Sequence, residues 1–335
     1  MTVRKYLQVN DPHCSDQPPA MRTASYLDDV LAKLAAVMQL AEHLGVDRVV
    51  FTGDVFHRKN AAHTTHRTVQ RVREILNGPG VPVSIVPGNH DEAHGGGLDG
   101  QPLLSLLGDH VDLLDGVCAS DEHIVGVPWS NAYEREGGAQ AFADALRVRA
   151  RPLVFAHAPL TVAPWPFGPE AGGWIQIADV DALLPPHVRV VAHGHMHKGH
   201  PLTASEGNTG RVLYSNPGAL ARATIGADDF DRVPQVALIT YDDRGQGAGG
   251  TVEYLPVPHR PAAEVYRVAE HTAAEARGSA ASALAASLAG AGTHVVTVEA
   301  VTGLLRAMPP ADGVDADDWA AGQQMAIEAV EDSST

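Results

Sequence analysis

The sequence predicts an α/β fold in which sheets are flanked by helices, and three observations lead there. Short apolar β-like runs alternate with helix-period segments through the early part of the chain. The later part is richer in β-like runs than in helices. Many of the runs end in Gly, Asn, Asp or His, residue types that belong to turns at strand ends. The chain has 335 residues, 44% hydrophobic and 19% charged, so it can bury a sizeable core and lacks the composition of a disordered protein. That length suits one large domain with an appendage, or two domains.

Taken in order, residues 6–9 read as a short buried strand. Residues 24–44 read as a helix, because Tyr26, Val30, Leu34, Val37, Leu40 and Leu44 recur at three- and four-residue spacing and Gly45 stops the pattern. Residues 48–52 form a second strand, residues 62–76 a helix, and residues 81–86 a third strand that runs into Pro87-Gly88. A short helix is expected at 102–107, an edge strand at 111–114, a strand at 123–129, a helix at 139–148 and a buried strand at 153–156. Residues 159–173 form a loop rich in Pro, Gly and Trp. Strands follow at 188–192, 212–214, 236–241 and 251–255. After Pro261 the chain turns Ala-rich, and residues 264–335 carry 11 Asp/Glu against three Arg. The expected division is a main domain at 1–257 and a small C-terminal region at 258–335, partly helical, with a helix at 314–330.

Two cysteines, Cys14 and Cys118, do not form a disulfide framework and fit a reducing compartment. No apolar run approaches a membrane span, and a cytoplasmic protein is the expectation. The net charge of −16 argues against a generally basic nucleic-acid-binding surface.

The candidate chemistry lies at five strand ends, which carry Asp11, His13, Asp54, His57, Asn89, His90, Asp91, His157, His195 and His197. A lone histidine is most often a surface or core residue, and this chain has 18. That reading suits His43, His63, His66 and others, but it would require five strand ends to carry His, Asp or Asn by accident. Carboxylate, imidazole and one amide oxygen suit manganese, iron or zinc better than calcium, which prefers all-oxygen shells. The candidates outnumber one tetrahedral site, and two cations about 3.5–4 Å apart would use them all. Asp54, on a central strand, is the natural bridge.

In order, type and spacing, Asp11-x-His13, Gly53-Asp54-x-x-His57, Gly88-Asn89-His90-Asp91, His157 and Gly194-His195-x-His197 resemble the motifs of the calcineurin-like metallophosphoesterases. The resemblance covers residues 5–200. It implies a two-sheet β-sandwich wrapped by helices, four layers in all, with two divalent metals at one edge. One metal would take Asp11, His13, Asp54 and His197, and the other Asp54, Asn89, His157 and His195. Hydroxide would attack phosphorus in line, and His90, with Asp91 behind it, would protonate the leaving oxygen. Manganese is the metal expected first, with iron or zinc as alternatives.

Three segments narrow the resemblance to SbcD-type double-strand-break nucleases: Asp54-Val55-Phe56-His57, Ile124-Val125-Gly126-Val127-Pro128-Trp129, and Ser215-Asn216-Pro217-Gly218-Ala219-Leu220-Ala221-Arg222. In the last, Ala219 stands where that group usually has Ser. This implies a DNA exonuclease or endonuclease of repair or recombination, with His57 orienting the phosphodiester. It also implies a homodimer through the helices at 62–76 and 102–107, and docking of a C-terminal helix on an SbcC-type ABC ATPase. Independently, residues 58–74 hold Arg58, Lys59, Arg67, Arg71 and Arg73 against Glu74, and Lys198 follows the last ligand. Arg67 and Arg71, one helical turn apart, could follow a phosphate backbone. The competing readings are a small-molecule phosphoesterase, acting on cyclic nucleotides or nucleotides, and a non-catalytic scaffold.

Overall fold

The computed structural model describes residues 3–57, 64–91, 102–108, 111–147, 151–163, 173–206, 210–223, 230–242, 249–270, 272 and 324. The chain divides into two units, Met1–Tyr266 and Arg267–Thr335. Nearly all of the second unit, including the helix expected at 314–330, lies outside the described residues.

Two six-stranded mixed sheets form the first unit. One contains β1 (Val3–Val9), β2 (Arg48–Phe51), β3 (Val83–Ile85), β4 (Val111–Leu113), β13 (Gln235–Asp242) and β14 (Gly249–Pro256), in the order β14-β13-β1-β2-β3-β4. The other contains β5 (Gly116–Val117), β6 (Ile124–Val127), β7 (Leu153–His157), β10 (Val190–Gly194), β11 (His200–Ser205) and β12 (Val212–Asn216), in the order β11-β12-β10-β7-β6-β5. A small pair, β8 (Leu160–Thr161) and β9 (Ile175–Gln176), stands apart. Four strands run parallel in each large sheet, β1-β2-β3-β4 and β12-β10-β7-β6.

The side-chain alternation of each strand builds the layers. In β1, Leu7 and Val9 join the core under α1 (Tyr26–Leu44) and α2 (His66–Asn77), while Tyr6 joins the layer between the sheets. The short helix α3 (Pro102–Ser105) adds Leu103 and Leu104 to the first of these cores. Val50, Val86, Phe155, Ala192 and Ile239 fill the central layer. Under α4 (Gly138–Arg147) and α5 (Ile177–Asp181), Phe142, Leu146, Val180, Val154 and Val191 form the core of the second sheet. This is the expected two-sheet sandwich with helices on its outer faces.

The helices follow their sequence signals. Tyr26, Val30, Leu34 and Val37 are fully or almost fully buried along one stripe of α1, and Gly45 ends it in the left-handed conformation. Helix α2 begins at His66, later than expected, because Thr65 caps it by accepting from the Thr68 N–H. Asp16 then accepts from the Thr65 N–H at 2.7 Å and the Thr68 hydroxyl at 2.6 Å. The elements β5, β8, β9, α5 and β11 have no counterpart among those expected from the sequence. Most of these are too short to show a period, and β11 is an edge strand whose exposed residues carry little apolar signal.

Behind the first strand-end loop sits a buried charged cluster. Asp29 accepts from Arg22 at 2.9 Å and from Lys33 at 3.1 Å, with all three side chains at most 1% exposed. The Arg22 guanidinium lies 4.8 Å from the Tyr26 ring centre and 4.9 Å from that of Tyr266, and it donates to the Arg222 carbonyl. Burial pulls the Lys33 ammonium down to about 8 despite its acidic partner. Asp29→Ala would leave two buried cations without their anion, so it should destabilise the protein by about 3–5 kcal/mol in chemical denaturation. A loss below about 1 kcal/mol would contradict that role.

Candidate metal centre

The parallel strands place their carboxyl ends at one edge of each sheet, where open α/β sheets bind ligands. Asn10-Asp11-Pro12-His13 follows β1, Thr52-Gly53-Asp54 follows β2, and Pro87-Gly88-Asn89-His90 lies just beyond β3. His157 ends β7, and His195 and His197 follow β10. The first two loops are bound together: His13 N–H donates to the Asp54 carbonyl at 2.9 Å and Cys14 N–H to that of Val55 at 2.8 Å. Among the described residues, five non-glycine residues have positive φ, and four of them are Asp11, His13, Asp54 and His195. Such backbone costs about 1–3 kcal/mol per residue and clusters at functional sites.

Three glycines allow this crowding. A Cβ on Gly53 would fall 2.2 Å from His157 Nδ1, one on Gly88 2.2 Å from Asp54 Oδ1, and one on Gly194 2.4 Å from the Thr52 carbonyl oxygen. Each would push a ligand-bearing strand end away from its neighbour.

The donor atoms of Asp11, His13, Asp54 and His197 all lie within 4.8 Å of one another, as do those of Asp54, His157 and His195. Asp54 belongs to both groups. Its Oδ2 stands 3.6 Å from His13 Nε2 and 3.5 Å from His157 Nε2, between the two sets. Its Oδ1 accepts the His90 N–H at 2.9 Å. Asn89 Oδ1 lies 2.9 Å from His157 Nε2 and 3.2 Å from His195 Nδ1, and His13 Nε2 lies 2.8 Å from His197 Nε2. All seven metal ligands expected from the sequence therefore meet.

Outer bonds settle which ring nitrogens face inward. His157 Nδ1 donates to the Thr52 carbonyl at 2.6 Å, leaving Nε2 unprotonated toward Asp54 and Asn89. Asp11 accepts the His195 N–H at 3.1 Å. His90 Nδ1 donates to the His57 carbonyl at 2.6 Å, and the two rings stack at 5.6 Å. The backbone of His57 therefore orients His90, the task expected of Asp91. The Asp91 carboxylate instead accepts from the backbone N–H groups of Gly88, Phe56 and Val55. A third group of donors, His13, His57 and His90, adjoins the first two.

Burial and mutual proximity set the protonation. Burial, reinforced by the charge of Asp54, holds the Asp11 carboxyl well above the usual carboxylate range. The same two causes push Asp91 up to about 8. Burial also acts against an ionised Asp54, but the surrounding imidazoles and the His90 N–H outweigh it and hold this carboxyl low. Burial, then neighbouring imidazoles, hold His13 well below its ordinary value and His195 at about 3. Burial lowers His157 as well. His13, His157 and His195 are therefore neutral at pH 7, beside the buried carboxyls of Asp11 and Asp54. That donor set fits two divalent cations.

Other residues fall around this centre. Trp129 stacks on His195 at 4.6 Å and meets the His157 ring edge-on at 6.0 Å, a contact that its place after an apolar strand did not reveal. Cys14 is buried and its thiol is pushed up to about 12, so it is inert. Arg67 is exposed on α2, whereas Arg71 pairs with Asp28 at 2.8 Å. Lys198 is exposed, and Arg58 and Lys59 lie outside the described residues.

The family model for calcineurin-like phosphoesterases matches residues 4–199, and the chain belongs to that family. No curated protein sequence matches it significantly. Among solved structures, the protein TT1561 of Thermus thermophilus is similar at 17% identity and a TM-score of 0.44, covering 76% of this chain and 99% of that one. A 5′-nucleotidase precursor from the same organism gives 16% identity and a TM-score of 0.45, covering 76% of this chain and 55% of its own. A dimetal phosphatase from Danio rerio gives 15% and 0.42, covering 77% and 99%.

Asp54→Ala should lose at least one bound cation, whereas His90→Ala should keep both, as read by elemental analysis of the purified variants. The reverse pattern would mean that the two roles are exchanged. Cation binding should also release protons, because burial and Asp54 raise the proton affinity of the Asp11 carboxyl that a cation would claim, while neutral His13 and His195 have none to shed. Affinity should therefore weaken as pH falls, and calorimetric heats should vary with the ionisation enthalpy of the buffer. Heats that do not depend on the buffer would contradict this assignment.

Proposed function

We propose that this chain is a metal-dependent phosphodiesterase and that its substrate is DNA, in the manner of an SbcD-type nuclease. The observation that carries the phosphoesterase reading is the position of Asp54 Oδ2 between the His13 and His157 sets, with His90 anchored on the same carboxylate. Asp11, His13, Asp54 and His197 would hold one cation, and Asp54, Asn89, His157 and His195 the other. Bound there, two divalent cations, manganese in this proposal, supply charge that draws the phosphate and lowers the pKa of a water.

The residues of the chain do the rest. His90 commits Nδ1 to the His57 carbonyl, so in the imidazolium form Nε2 carries the proton that passes to the leaving oxygen, and the ring returns to neutral. The stacked His57 ring extends this wall of the site, in position to steady a phosphate oxygen. Trp129 covers His195 on the opposite wall and keeps water from its ring.

Two features support DNA as the substrate. The segment ending in Trp129 packs on a ligand, and Ala219 and Ala221 of the segment at 215–222 donate backbone N–H groups to the His197 and Asp11 carbonyls. The segments that resemble the nucleases thus adjoin the centre. A small phosphodiester is the second reading, favoured by the net charge of −16 and by the pairing of Arg71 with Asp28.

With manganese, linear duplex DNA and a generic aryl phosphodiester should both be cleaved, and His90→Ala should lose at least about 100-fold on each. Cleavage of cyclic AMP or the aryl ester but never of DNA, double- or single-stranded, would contradict the DNA reading. Inactivity on every ester would contradict the enzyme.

A further inference from the structure

We propose that Asn10 is a positioning residue for the metal centre, a single amide that fixes four strand ends relative to one another. The inference rests on the metal-centre reading above. Asn10 is wholly buried and precedes Asp11. Its Oδ1 accepts from Gln8 Nε2 at 2.9 Å and from the Thr52 hydroxyl. Its Nδ2 donates to the His193 carbonyl at 2.8 Å and to Asn216 Oδ1 at 2.9 Å. Its backbone carbonyl accepts from Leu220 N–H at 2.7 Å.

Every side-chain bond except that from Gln8 leads to a ligand. Thr52 lies two residues before Asp54, and its carbonyl sets the tautomer of His157. His193 lies two residues before His195, whose N–H binds Asp11. Asn216 donates to the carbonyl of Met196, the residue before His197. The strands joined are β1 and β2 of one sheet and β10 and β12 of the other. Among side chains of this length, only an amide offers two accepting and two donating positions together. Aspartate lacks both donors, and serine lacks the reach.

The test is manganese titration of the metal-free full chain beside its thermal melting. Asn10→Ala and Asn10→Asp should each weaken cation affinity by about tenfold or more, the loss typical of outer-shell partners of a metal site. Thr52→Val keeps the branched shape and removes one donor, so it should weaken affinity by a smaller, measurable factor. A folded Asn10→Ala protein with wild-type affinity and only a lower melting temperature would make Asn10 merely structural and overturn the proposal. Should Asn10→Ala fail to fold, wild-type affinity in Thr52→Val overturns it instead. A wild-type chain that binds no manganese would instead overturn the metal-centre reading itself, and this proposal with it.

Discussion

Three carboxylates buried beside one another, Asp11, Asp54 and Asp91, are the constraint on which the rest of this site depends. Buried acids this close raise one another's proton affinity, and Asp11 and Asp91 both show it. Among the described residues, imidazoles and backbone N–H groups surround them. Arg22, Lys33 and Arg222 are buried too, but they gather around Asp29 and the carbonyls of Arg222 and Arg260. These buried cations thus serve Asp29, while the donor set at the acid cluster suits divalent cations.

The sandwich makes this crowding possible. Each large sheet runs four strands in parallel, so consecutive strand ends arrive at one edge, and the two sheets bring two such edges together. The cost appears locally, as left-handed backbone at Asp11, His13, Asp54 and His195 and as glycines whose replacement would collide with a ligand. It is offset by hydrophobic layers on both faces of both sheets and by bonds that cross between the strand ends.

Much of this was legible in the sequence because the signals were local. The stripe from Tyr26 to Val37 and the stop at Gly45 announced α1. Motif residues at the ends of apolar runs marked the side chains that meet at the candidate centre, since a strand end is both a turn and a place where a side chain can leave the sheet. What stayed hidden depends on distant partners. Nothing near His90 in sequence shows that its orienting acceptor is a carbonyl 33 residues earlier, or that Asp91 turns to three backbone N–H groups. Nor could Asn10 be told from an ordinary turn residue, because its partners Thr52, His193 and Asn216 come from three other strand ends. The basic run after His57 read as a phosphate-tracking face, yet Arg71 is engaged by Asp28, 43 residues away.

The most direct measurement is anomalous X-ray diffraction from crystals of the full chain soaked in manganese. The account predicts two peaks, one among Asp11, His13 and His197 and one among Asn89, His157 and His195, with Asp54 touching both. No peak at these strand ends, or a single peak that Asp54 does not touch, would contradict it.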